Sequence, residues 1–226
     1  YQSHWAPETK MAHLLPHWNW KPGDKVPVFA YASGDEAELF VNGRSLGRKR
    51  KVADVDYPLE HSLRDNEFRG EQKDNPYYRV CDKYRFRWYD VAFEPGEAKV
   101  VAYRKGVRIG EDVRKTAGKP VAVRLTVDPY SQPTDDLVYV QVDVVDANGV
   151  RDPRAANDVS FALEGPGEIV AVGNGDPRGY DSFKRTDSHP LYFGKAVVVI
   201  RRDPGAKEPV KLTATSDGLK AATLSL

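Results

Sequence analysis

A chain of 226 residues, 40% hydrophobic and 30% charged, has room for two domains of about 100–150 residues each. Its 34 lysines and arginines against 33 aspartates and glutamates leave a net charge of +1, which offers no footing for nucleic acid or an anionic membrane surface. No apolar run approaches the ~20 residues that span a bilayer, and the single cysteine, Cys81, excludes an internal disulfide and a cysteine-based zinc knuckle.

The opening run, YQSHWAPETKMAHLLPHWNW, holds three of the four tryptophans, Trp5, Trp18 and Trp20. It is too short for a core of its own, and aromatic weight of this kind covers an apolar surface. Residues 1–22 therefore read as the tail of something larger, with aromatics left facing water. No basic region followed by an apolar stretch marks a signal peptide. Residues 1–5 close a helix, Pro7 stops it, and Pro16 breaks the chain again. Such a strap is expected to be disordered, or pinned by the adjoining sandwich or a neighbouring molecule. Lys21-Pro22-Gly23-Asp24 is turn chemistry and marks the first boundary.

Residues 23–117 read as the first β-rich module. Strands are expected at 26–31 and 36–41, and Asn42-Gly43 is a strong hairpin signal because both central residues of a type I′ turn need positive φ. Residues 45–47 return as the partner strand. Residues 51–80 are polar and weakly patterned, a long loop or insertion. At 84–88 aromatics alternate with arginines, which places the rings on one side of a sheet. Pro95-Gly96 turns the chain into strands at 98–103 and 107–113.

Thr116-Ala117-Gly118-Lys119-Pro120 is the second boundary, and 118–226 the second module. Strands are expected at 121–127, 137–145, 159–163, 169–172, 196–201, 210–214 and 221–226. Val138, Val140, Val142 and Val144 alternate with Tyr139, Gln141 and Asp143, one buried and one wet face. Asp146-Ala147-Asn148-Gly149 supplies a hairpin turn. Seven short runs over about a hundred residues make an immunoglobulin-like pattern without the Cys–Trp–Cys signature. The fold class is all-β: two β-sandwich domains, jelly-roll-like and immunoglobulin-like, behind a short helical and extended strap.

Few constellations carry chemistry. The acid pairs Asp35-Glu36 and Asp135-Asp136 fall in turns, as solvated loop residues do. His13 and His17 have i, i+4 spacing, but Pro16 between them argues against a helix that would aim both at one metal. No Gly-x-Ser-x-Gly elbow occurs. Val172-Gly173-Asn174-Gly175-Asp176 imitates a dinucleotide loop, yet Pro177 stands where a helix would start, so a glycine-built turn is favoured over a sugar- or calcium-contacting loop. The basic run Arg44, Arg48, Lys49, Arg50 and Lys51 lies close to Glu36 and Glu38, which suits an edge strand guarded by charge. Cys81 reads as a buried or half-buried filler. Trp18 and Trp20, one residue apart, share a face if extended; they are the candidate contact residues, for docking on a neighbouring domain or stacking on a sugar. No catalytic, cofactor-binding or metal-binding residue is assigned.

YQSHW followed by MAHLLPHWNW closely resembles the exit from the catalytic barrel of family 2 glycoside hydrolases, the β-galactosidase and β-glucuronidase group. DEAELFVNGRSLG over 35–47 resembles the jelly-roll-like module behind that barrel, and residues 84–88, EPGE at 94–97 and VVAY at 100–103 continue it. TAG at 116–118 and GPGEIVAVGNGD at 165–176 resemble the immunoglobulin-like C-terminal domain of these enzymes. The resemblance implies a parent that hydrolyses β-galactosides or similar β-glycosides with retention through two barrel glutamates, none of which has a counterpart here. It implies a non-catalytic role for this chain without cofactors. Its partners would be its own upstream barrel, a homo-oligomer, and carbohydrate met through the parent enzyme, with a periplasmic or secreted location. A carbohydrate-binding module and an adhesion or partner-binding array stand as alternatives.

Overall fold

The computed structural model describes residues 1–52, 82–132 and 136–226. The expected insertion, beyond Val52, and Cys81 and Asp135 lie outside the described residues. The chain divides into two compact units, Tyr1–Thr116 and Ala117–Leu226. Both are built from β-sheet, as the strand patterning and the resemblance lead one to expect; the helix α1 (Gln2–Trp5) is a single turn.

In the first unit, strands β1 (Ala12–Leu15), β2 (Lys25–Ala32) and β5 (Phe86–Ala92) form one antiparallel sheet in the order β1-β2-β5. Strands β3 (Glu36–Val41), β4 (Arg44–Arg50), β6 (Glu97–Arg104) and β7 (Val107–Lys115) form the other, in the order β4-β3-β6-β7. The period-2 pattern decides which side is dry. Val26, Val28, Ala30 and Ala32 on β2 meet Ala37, Leu39 and Val41 on β3 and Ala98, Val100 and Ala102 on β6 in a single core. The Asn42-Gly43 hairpin has both φ values positive, 48° and 81°, as a type I′ turn demands. Asn42 then braces the next turn: its Oδ1 accepts the Glu97 N–H at 2.8 Å and its Nδ2 donates to the Pro95 carbonyl at 3.1 Å. Gly96 is fixed by that contact, because a Cβ there would lie 2.1 Å from Asn42 Oδ1.

The strap is part of this unit. Residues 12–15, which carry no strand signal of their own, pair with residues 29–32 as an edge strand, and the Leu14 N–H donates to Asp112 Oδ2 at 2.8 Å. Proline on both sides hides a strand of four residues from pattern reading. Burial corrects the alternation expected at 84–88: Phe86 and Trp88 are buried, but so is Arg87, at 5% exposure. A buried guanidinium is tolerable because Asp82 grips it through two bonds, 2.5 and 2.6 Å long.

In the second unit, strands β8 (Pro120–Val127), β9 (Leu137–Asp146), β11 (Gly167–Gly173) and β13 (Lys195–Arg202) form a sheet in the order β11-β13-β9-β8. Strands β10 (Asp158–Glu164), β12 (Ser188–Pro190), β14 (Lys211–Thr215) and β15 (Ala222–Ser225) form its companion, in the order β12-β10-β14-β15. Val138, Val140, Val142 and Val144 pack with Val198, Ile200, Phe161 and Leu212 between the sheets. The three-residue β12 is an addition to the expected strands, being shorter than any periodicity can register. The Asp146 turn is held by its own carboxylate, which accepts N–H bonds from Asn148, Val150 and, at the start of the unit, Gly118.

Candidate functional site

Trp18 and Trp20 do not form the shared face expected of them. Trp18 is 1% exposed, edge-on to Phe93 at 5.2 Å, with its indole N–H donated to the Glu94 carbonyl at 3.0 Å. The Trp18 carbonyl accepts the Thr116 hydroxyl at 2.8 Å, so the strap is tied to the last residue of the unit. Trp20 is 38% exposed and lies flat on His17, centroids 4.7 Å apart, while its indole N–H donates to the His17 carbonyl. The strap turns between the two tryptophans instead of running extended, so one ring enters the core and the other caps its surface. Trp5, 74% exposed, pairs with Tyr1 at 4.6 Å. His13 instead approaches Asp112 at 3.6 Å, so the two histidines have separate partners.

The basic hairpin is largely compensated. Arg48 reaches Glu36 and Glu38 at 3.4 and 3.3 Å and stacks 3.7 Å from the Tyr103 centroid, and Arg50 binds Glu36 at 2.8 Å. The Ser45 hydroxyl, outweighing burial and joined by Arg48, holds the Glu38 carboxyl below its usual range. Solvent screens these half-exposed pairs, so they guard the edge more than they stabilise it.

A site that the sequence did not reveal lies beside this hairpin. Two adjoining grooves of about 530 and 440 Å³ run along β4 and β5, and Lys49, Tyr89 and Asp90 line both. Two β-bulges shape them. On β4, Leu46 and Gly47 together oppose Leu39, with Gly47 at φ 96°. On β5, Tyr89 and Asp90 oppose Pro27, and Asp90 is held at φ 56°. Proline has no N–H for the ladder, so the interruption falls where pairing is already lost. The Trp88 indole N–H donates to the Gly47 carbonyl at 3.3 Å and links the two bulges. Lys49 and Asp82 flank Arg87 in the groove wall, and burial pushes the Lys49 amine below its ordinary value. Pro27 and Asp90 were the available signals, but a bulge is a property of two strands in register and no single run displays it.

In the second unit, the loop after β11 is braced internally. Asn174 Oδ1 accepts the Asp176 N–H, Asn174 Nδ2 donates to the Pro190 carbonyl, and Asp176 binds Arg178 at 3.0 Å. Among the described residues no three His, Cys, Asp or Glu side chains gather as a metal site, and no helix is long and apolar enough to cross a membrane.

Comparison with known proteins gives these shapes a relationship. Residues 123–225 match the glycoside hydrolase family 2 C-terminal domain 5, and residues 23–110 match a domain of unknown function, DUF4982. The chain is 38% identical over 229 aligned positions to the β-galactosidase BoGH2A of Bacteroides ovatus, an alignment spanning 100% of this chain and 23% of that protein. A β-glucuronidase of Formosa agariphila is 27% identical, over 84% of this chain and 16% of its own length. Among solved structures, a β-glycosidase from Bacteroides vulgatus superposes with a TM-score of 0.73 at 26% identity, covering 95% of this chain and 24% of that one. The chain thus spans less than a quarter of the length of these relatives.

Proposed function

The chain belongs to glycoside hydrolase family 2, as its C-terminal β-sandwich region, and from that premise we propose that its two units serve a catalytic barrel elsewhere in the same protein. Residues 1–22 are the strap leading from that barrel, and residues 23–117 and 118–226 are support modules behind it. Hydrolysis of a β-galactoside or related β-glycoside, with retention through a pair of glutamates, is the barrel's work. These units hold it in shape, border its cleft and contribute contacts between copies of the enzyme. Carbohydrate reaches this chain through that enzyme.

The observation that carries the reading is the full-length alignment with BoGH2A, which runs through both units and the strap without selecting one module. The half-exposed Trp20 and the exposed Tyr1–Trp5 pair fit it, since aromatic anchors of this kind dominate docking contacts. Thermal unfolding of the longer protein with and without residues 1–226 tests it. A support role predicts a lower melting temperature for the shortened enzyme and loss of its cooperative transition. An unchanged melting temperature with unchanged turnover would remove that role.

A further inference from the structure

Among the described residues, the bulged groove on β4 and β5 carries more cationic side chains than are paired with carboxylates. Arg50 is paired with Glu36 and Arg87 with Asp82. Arg44, in the adjoining groove, is paired with Glu94 at 2.5 Å. Two cations remain. Lys49 has no carboxylate within ion-pair distance among the described residues; its ammonium stands 5.7 Å from the Trp88 ring centroid. Arg85 lies over Phe29 at 4.6 Å and touches the Tyr31 hydroxyl at 3.4 Å, but its buried Nε has no hydrogen-bond partner among the described residues. A buried donor left unmade is costly, which marks the Arg85 guanidinium as incompletely satisfied where it sits. Asp90, also in the wall, has no ion-pair partner among the described residues and offers an acceptor for hydroxyl groups. The non-glycine positive φ at Asp90 is a further mark, since strain of this kind gathers at binding clefts.

We propose that this groove binds an acidic saccharide. Lys49 and Arg85 take the sugar carboxylate, Asp90 accepts from ring hydroxyls, and the Tyr89 ring forms a wall. A volume of about 530 Å³ suits one or two sugar rings. The cation pair stands on the geometry alone, while the choice of a saccharide over another carboxylate rests on the carbohydrate context of the proposed function.

Calorimetry and amide-shift mapping on the whole 226-residue chain test the site with three probes: a glucuronic-acid-terminated disaccharide, its glucose-terminated counterpart and sodium acetate. The acidic disaccharide is expected to bind with a millimolar or tighter constant and to move the amides of residues 86–92. Neutral sugar and acetate should bind at least about tenfold more weakly, since each lacks one half of the recognition. Lys49→Ala and Arg85→Gln should each weaken binding about tenfold, and Lys49→Arg should retain it, with Lys99→Ala as a neutral control. Lys49 lies at the surface end of β4, so its variants report even if Arg85→Gln fails to fold. Equal binding of the neutral disaccharide, acetate binding as tightly as the acidic sugar, indifference to both charge-removing variants, or no binding at all would each overturn the proposal. None of these results touches the support role, which is read from the melting of the longer enzyme.

Discussion

Trp18 and Trp20 differ by two positions in sequence and by their entire environment in the fold. Trp18→Ala empties a site that is 1% exposed and should cost about 3–5 kcal/mol in urea unfolding. Trp20→Ala removes a ring stacked on the outside and should change stability by no more than about 0.5 kcal/mol. Equal effects would place the strap differently from the structure. Asp146 supplies a pH prediction. Burial alone would raise its carboxyl, but N–H donors from Gly118, Val150 and Asn148 prevail and hold it below the ordinary aspartate range. Its folded value therefore lies under its unfolded one. The associated stability is complete above about pH 4, the ordinary aspartate value, and is lost as acid carries the pH down through that value toward the folded one. Asp146→Asn should flatten the acid limb of the unfolding curve, and an unaltered limb would show that other carboxylates set it.

Strands announce themselves in this chain when they are long and two-faced. Residues 36–41 alternate so cleanly that their limits coincide with β3, and the Asn42-Gly43 turn behind them behaves as its backbone chemistry requires. The strand expected at 137–145 is there as well, but its wet face ends at Gln141: Asp143 is 5% exposed, its carboxylate bound by Arg124 at 2.8 Å, and residues 142–146 are all buried. What escaped reading depends on partners: β1 exists because β2 offers it an edge, β12 is three residues long, and Arg87 is buried because Asp82 waits for it. The groove escaped for the same reason, since both bulges are mismatches between strands. The β5 bulge yields a test. An L-residue in the left-handed region costs about 1–2 kcal/mol, less for aspartate and asparagine, so Asp90→Val should destabilise by about that amount. Asp90→Gly should be neutral or stabilising by thermal melt. Destabilisation by glycine alone would mean that the Asp90 side chain, and not its backbone, holds the bulge.

At the scale of the whole molecule, two β-sandwich units with separate cores account for the buried end of the aromatic strap and the guarded edge of β4. The family relationship gives that architecture a setting, because the chain aligns along its full length with less than a quarter of a much longer glycosidase. Most of the setting was legible in two short runs, HWNW at 17–20 and ELFVNGRSLG at 38–47. Those residues turn the strap, shape the type I′ hairpin and form the β4 bulge, so their spacing is demanded by backbone geometry. The proposed division of labour leaves the bond-breaking chemistry to the barrel and none of it to these units. Assaying the purified 226-residue chain for hydrolysis of chromogenic β-galactoside and β-glucuronide puts that division to the test. No turnover above a mock preparation is expected, and measurable, saturable turnover would contradict it.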